Sequence, residues 1–161
     1  LHIRIADTRR DFIHKETTTI AKNQGLVVLE DLRIKNMSRS AKGSIDSPGK
    51  DVKQKSGLNR SILDAGWGEF RRQLEYKVDW AGGILIAVDS KNTSRRCPVC
   101  GHSAKENRLT QADFVCVACG HAGDADITAA VNILRAGHAR LACGETGAVR
   151  PLGEAGTLKA A

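Results

Sequence analysis

The hydrophobic pattern divides the chain into alternating helical and extended stretches. Ile5, Phe12, Ile13, Glu16 and Ile20, with polar residues between them, carry a helical stripe through residues 1–24, and Gly25 suits its stop. Leu26-Val27-Val28-Leu29 is a continuous apolar run that meets Glu30 and Asp31, the pattern of a buried strand ending at a polar site. Residues 33–60 lose all apolar periodicity and are rich in Ser, Gly and Lys, which predicts an irregular loop. Helical spacing resumes over Ser61–Trp80, where Ile62, Leu63, Trp67, Phe70, Leu74 and Val78 form one ridge and Trp67 and Phe70 read as core. Gly83–Asp89 is a second apolar run ending in a carboxylate, and Asp89 reads as the cap of the following turn. A last helix starts near Asp126, with Ile127, Ala130, Val131 and Leu134 at i, i+3, i+4, i+7. Beyond Gly137 the Ala- and Gly-rich sequence has no period and predicts disorder over 138–161. Strands alternating with helices place the chain in the α/β class.

Between the second strand and the last helix the cysteines change the picture. Cys97 and Cys100 form one C-x-x-C pair, Cys116 and Cys119 another, and the 15 residues between the pairs fall in the range of a four-thiolate zinc site. Each pair is followed by Gly and His, in Cys100-Gly101-His102 and Cys119-Gly120-His121, so the halves read as matching knuckles. Two disulfides are the competing explanation, but they suit small secreted chains, and the charged stretch from Leu1 to Ala21 is no export signal. Four sulfurs complete a tetrahedron, which makes the zinc structural and leaves His102 and His121 as solvent-side turn residues. Cys143 reads as a free thiol in the tail.

At 161 residues the chain has room for one domain and a small metal-held satellite. It contains no transmembrane run or targeting peptide, and reduced thiols point to a cytoplasmic bacterial-type protein. The formal charge of +7 and pI near 9.4 are compatible with a polyanionic partner. Most of that surplus lies in residues 33–60, where eight lysines and arginines, Arg33, Lys35, Arg39 and Lys42 among them, face two aspartates. Such a run is usually a solvated face. Here it follows Glu30 directly and reads as a salt-sensitive, sequence-blind clamp on nucleic acid. Arg71, Arg72 and Lys77 lie off the helical ridge and could face a phosphate backbone as well.

Two acidic positions carry open readings. A carboxylate at the end of a buried strand, as at Glu30, either pairs with a cation or binds metal, because an isolated buried charge is too costly. Asp126 at a helix start has a plain explanation as an N-cap stabilised by the helix dipole.

The wider pattern resembles a known family. VLEDL at Val28–Leu32, DAGWGEFRRQLEYK at Asp64–Lys77, TS-x-x-C-x-x-C-G from Thr93, F-x-C-x-x-C-G from Phe114 and D-x-D-x-x-A-A-x-N-I from Asp124 are similar to the C-terminal half of the TnpB (OrfB) proteins of bacterial insertion sequences, relatives of the type V CRISPR effectors. The resemblance implies a partial RuvC/RNase H-like domain, residues 1–92 with the basic loop 33–60, an inserted zinc ribbon at 93–122, and a last helix at 123–137. It implies a parent that is a transposon-encoded RNA-guided DNA endonuclease or transposase, with guide RNA and DNA as partners and no membrane. In the full-length parent, carboxylates hold Mg2+ for phosphodiester cleavage. Glu30 matches the family's catalytic glutamate and Asp126 its last catalytic aspartate; Thr128 stands where the family usually has Asn. No match to the family's first catalytic aspartate precedes Glu30, so the chain reads as a fragment or truncated copy. The alternative is a catalytically inactive, nucleic-acid-binding zinc-ribbon remnant.

Overall fold

The computed structural model describes residues 2–89 and 91–144, which divide into two units. The first, residues 2–25 and 33–84, is helical and contains α1 (His2–Asn23), α2 (Ile34–Met37), α3 (Val52–Asp64) and α4 (Trp67–Trp80). α1 packs along α4. The contact face repeats every four residues, as helix geometry requires: Ile13, Thr17 and Ala21 on α1 meet Gln73, Leu74, Lys77 and Val78 on α4.

Several sequence expectations change in this unit. Phe12 and Ile5 are exposed, and the buried row of α1 instead runs through Thr17. A hydroxyl can occupy that row because Thr17 Oγ1 donates to the Ile13 carbonyl at 2.7 Å and meets Gln73 Oε1 at 2.9 Å. The ridge over residues 61–80 is not one helix. Gly66, with φ +71°, adopts the left-handed conformation between α3 and α4 and turns the chain, leaving Leu63 and Trp67 exposed while Leu74 and Val78 form the core. Lys77 is buried rather than turned to solvent.

The basic stretch is also more ordered than its composition indicates. α2 and α3 together take up much of residues 33–60, so the loop reading holds only for the segment between them. Lys55 Nζ donates to the Met37 carbonyl and Asn59 Nδ2 to the Arg39 carbonyl at 3.2 Å, fastening that segment to α3.

The second unit comprises residues 26–32 and 85–144 of the described chain. It contains β1 (Leu26–Glu30), most of β2 (Ile84–Val88), β3 (Asp113–Val115), β4 (Ala122–Asp124) and α5 (Ala125–Ala142). β1 pairs with β2. Ile84 N donates to Gly25 O at 2.8 Å where both begin, and Asp31 N to Val88 O at 2.8 Å where both end, so the strands run parallel. β3 and β4 are antiparallel, with Phe114 opposite Gly123.

α5 packs on β1, but through a face other than the expected stripe. Ile127 and Leu134 are exposed, whereas Ala125, Thr128, Asn132 and Gly137 are buried. Small size and side-chain hydrogen bonds, rather than apolar volume, define this buried face: Gly137 meets Val28 of β1, while Ala125 packs with Cys97, Phe114 and Cys116 of the ribbon. The helix also continues to Ala142, so the disorder expected from 138 onward does not hold there; residues 145–161 lie outside the described residues.

Candidate metal centre and acidic site

The four cysteines converge from two near-identical turns. Cys97 N donates to His102 O at 2.8 Å and Gly101 N to Cys97 O at 3.0 Å; Cys116 N donates to His121 O at 2.8 Å and Gly120 N to Cys116 O at 2.9 Å. Gly101 and Gly120 close these turns at φ +79° and +73°, where a side chain would be strained. The sulfurs all lie within 4.8 Å of one another. The cross-knuckle pairs Cys97–Cys119 and Cys100–Cys116 are each 3.6 Å apart. That is far beyond a disulfide of about 2.05 Å, and near the ~3.8 Å edge of a tetrahedron with Zn–S bonds of ~2.3 Å.

The electrostatics also call for a cation. Burial pulls the Cys97 thiol up, but the backbone N–H groups of Cys100 and Val99 and the neighbouring thiols outweigh it and hold Cys97 at about 6. Cys119 accepts from the His121 backbone, which favours its thiolate, yet Cys100, burial and the other two cysteines push it up to about 12. Four thiolates cannot share this space without a positive charge at the centre, and the residues present fit a divalent ion with soft ligands. Among the described residues these cysteines are the one group of three or more ligand-type side chains close enough to hold a metal.

Two asparagines, neither of them assigned a role by the sequence, secure the ribbon. Asn107 is fully buried; its Nδ2 donates to Arg95 O (2.8 Å) and His102 O (3.2 Å), while its Oδ1 accepts from Val117 N at 3.0 Å. One side chain thus joins both knuckles. Asn132 Nδ2 donates to Thr93 O at 2.8 Å and Arg96 O at 2.7 Å, tying α5 to the ribbon's entry. A polar residue between two metal-binding turns has no periodic signature, so Asn107 was not legible. Asn132 lay in plain view within the D-x-D-x-x-A-A-x-N-I motif. His102 is exposed as expected, whereas His121 is half-buried, its ring 6.3 Å from that of Phe114.

The two acidic candidates stand at element ends, Glu30 on β1 and Asp126 on α5. Glu30 ends β1, half-buried, and burial raises its carboxyl above the usual range. Asp126 is exposed in the first turn of α5. The cap there is Asp124, whose Oδ1 accepts from Asp126 N at 2.8 Å and Ile127 N at 3.0 Å, so capping does not occupy the Asp126 carboxylate. Following α5 backward, Arg140 reaches the Ala87 carbonyl, Gly137 meets Val28 and Asn132 reaches Thr93. These contacts set α5 against β1 at Gly137 and against the ribbon's entry at Asn132. No third His, Cys, Asp or Glu completes a cluster with these two among the described residues. Asp89 accepts from Lys91 N at 3.0 Å, the turn geometry expected of it. Thr128 is buried, its hydroxyl beside Gly123.

Of the candidate nucleic-acid residues, Arg33, Lys35, Arg39 and Lys42 are exposed in the helical unit. Arg71 pairs with Glu75 at 3.0 Å and Arg72 with Glu69 at 2.7 Å, which compensates much of their charge. No helix among the described residues is long and apolar enough to cross a membrane.

A parallel strand pair carrying an antiparallel thiolate ribbon and a closing helix defines an α/β unit of the RuvC-like type. Residues 67–133 match the family model described as Cas12f1-like, TNB domain. InsQ of Escherichia coli (strain K12), named as an RNA-guided DNA endonuclease, is 56% identical over 145 residues, covering 90% of this chain and 36% of InsQ. A protein of Streptomyces pristinaespiralis with the same kind of name is 37% identical over 152 residues, covering 94% of this chain and 33% of its own length. The solved structure of a Cas12f1–sgRNA–target DNA complex matches with a TM-score of 0.55 and 26% identity, over 82% of this chain and 35% of that one. These matches assign the chain to the TnpB family, as a C-terminal part. It spans about a third of the length of these relatives.

Proposed function

We propose that the chain is the metal-stabilised nuclease part of a transposon-encoded, RNA-guided DNA endonuclease, acting in the cytoplasm with guide RNA and DNA as partners. The observation that supports this reading is the state of the two carboxylates: Glu30 ends β1 half-buried, its carboxyl raised by burial, and Asp126 stands in the first turn of α5 with the capping role taken by Asp124. The ribbon cysteines would hold Zn2+ in a closed, structural site. Glu30 and Asp126 would hold Mg2+, which when bound activates water and stabilises the leaving oxygen of a phosphodiester. Their own part is to supply hard oxygen ligands at a fixed place, and Asn132 maintains that place by fastening α5. The exposed Arg33, Lys35, Arg39 and Lys42 offer phosphate contacts that position nucleic acid without reading its sequence.

A second reading is favoured by the lack of a third ligand-type side chain clustering with Glu30 and Asp126 among the described residues: this polypeptide binds nucleic acid without turning it over. Purified residues 1–161 should retain zinc and bind nucleic acid but leave supercoiled DNA intact in Mg2+. Nicking that requires Mg2+ and disappears in Asp126→Ala would establish activity in this chain and overturn the second reading. Failure to bind either metal or nucleic acid would overturn both.

A further inference from the structure

The helical unit carries a groove that neither the metal centre nor the acidic site uses. It lies between α1 and α4, has a volume of about 620 Å³, and is walled by His14, Thr18 and Lys22 on one side and Tyr76, Lys77 and Trp80 on the other. Trp80, at the end of α4, is 79% exposed. Its ring meets Tyr76 edge-on, with centroids 4.8 Å apart and planes at 64°. A tryptophan open to that extent presents at least one indole face to solvent.

Charge identifies the kind of occupant. Every ionised side chain lining the groove is cationic. Lys22, exposed in the last turn of α1, makes no ion pair among the described residues. Lys77 is buried, and five acceptors surround its ammonium, among them His14 O and Thr17 Oγ1 at 2.7 Å. Its position under the groove is thereby fixed. The neighbouring groove shares His14 and Tyr76 but is lined by Asp7, Asp11 and Glu69 as well as Arg10 and Arg72, so its charges compensate one another. The Trp80 groove alone of the two joins an open aromatic face to an exposed cation, Lys22, with no acidic side chain in its lining. Those are the two requirements for an unpaired nucleotide: a π surface for the base and a cation for its phosphate.

We infer that the Trp80 groove binds an unstacked base of a single-stranded nucleic acid, with the base on the indole of Trp80 and the adjoining phosphate at Lys22. The inference rests on the nucleic-acid-binding reading above and adds to it a strand type and a contact point. A duplex keeps its bases stacked inside and cannot supply this contact.

The test uses the whole chain carrying Trp67→Phe, so that Trp80 is its one fluorophore of that type. A 20-nucleotide oligothymidylate should quench Trp80 emission by half or more, and a duplex of equal length should not. Trp80→Leu should weaken oligothymidylate binding about 10-fold or more, the loss of one stacked base. The melting temperature should not change, because the side chain is exposed; Trp80→Phe should retain most of the affinity. If Trp80→Leu binds as tightly as its parent while the salt-dependent binding persists, the groove assignment fails and the broader reading stands. If the chain binds no oligonucleotide at all, both fail. A concentration-dependent blue shift of Trp80 emission without nucleic acid would assign the groove to a second copy of the chain and overturn the proposal.

Discussion

Gly137 sits against Val28 so closely that a Cβ on the helix would fall 2.4 Å from one valine methyl and 2.7 Å from the other. Both methyls branch from a stiff Cβ, itself 3.1 Å away, and cannot swing aside. Gly137→Ala should therefore destabilise the protein by about 1–3 kcal/mol through overpacking, more than the ~1 kcal/mol gained in helix propensity. Urea unfolding of the two proteins measures the difference; an equal or higher midpoint in the variant would show that α5 does not approach β1 this closely.

Asn107→Ala removes the side chain that joins the knuckles and leaves Arg95 O and Val117 N without that partner. Each buried polar group so stranded costs about 1–3 kcal/mol. The variant should release zinc to a chromogenic chelator several-fold faster than the parent, whereas Asn59→Ala, in the helical unit, should release it at the parental rate.

Glu30 tests the acidic site through pH. Its folded carboxyl is raised by burial, so the folded state binds its proton more tightly than the unfolded chain does. Stability from this group is therefore lost as pH rises above the unfolded value of 4.5. Glu30→Gln should melt higher than the parent at neutral pH, and the advantage should vanish below about 4.5. A variant that is less stable at neutral pH would show that Glu30 has a structural partner and is not held for metal.

Glu69 behaves in the opposite sense. Hydrogen bonds from Arg72, and then from Gln73, outweigh burial and hold its carboxyl down to about 2. That stabilisation is present above the unfolded value of 4.5 and is lost as pH falls toward about 2. Because Arg72 is exposed, solvent screening keeps the effect small. Melting curves of the parent and Glu69→Gln should differ at pH 6 and converge by about pH 2; a constant gap across that range would rule out the proton linkage.

The exposed quartet Arg33, Lys35, Arg39 and Lys42 should govern the salt dependence of nucleic-acid binding. Replacing all four with alanine should lower the slope of log affinity against log salt by up to about 3, if each contacts one phosphate. An unchanged slope would place the phosphate contacts elsewhere.

The sequence disclosed most where its chemistry was discrete. The four cysteines, Glu30 at a strand end and the turn role of Asp89 could all be read from residue type and spacing, because thiolate geometry and strand burial leave few alternatives. It disclosed least where packing departs from apolar periodicity. The contact face of α5 is made of Ala125, Thr128, Asn132 and Gly137, so a search for hydrophobic spacing selected Ile127 and Leu134, which point outward. Lys77 looked like a surface cation, and only the hydroxyls and carbonyls that α1 places around it make its burial tolerable. Composition also obscured α3, whose polar residues spell a loop while its backbone follows a helix from Val52.

The fastening of α5 to the ribbon through Ala125 and Asn132, and to the sheet through Gly137, makes the ribbon the fulcrum on which the Asp126 end of the helix rests. A reagent that strips the ion from the thiolates would loosen the fulcrum. The placement of Asp126 would then be lost to an attack on sulfur that never touches an acidic side chain.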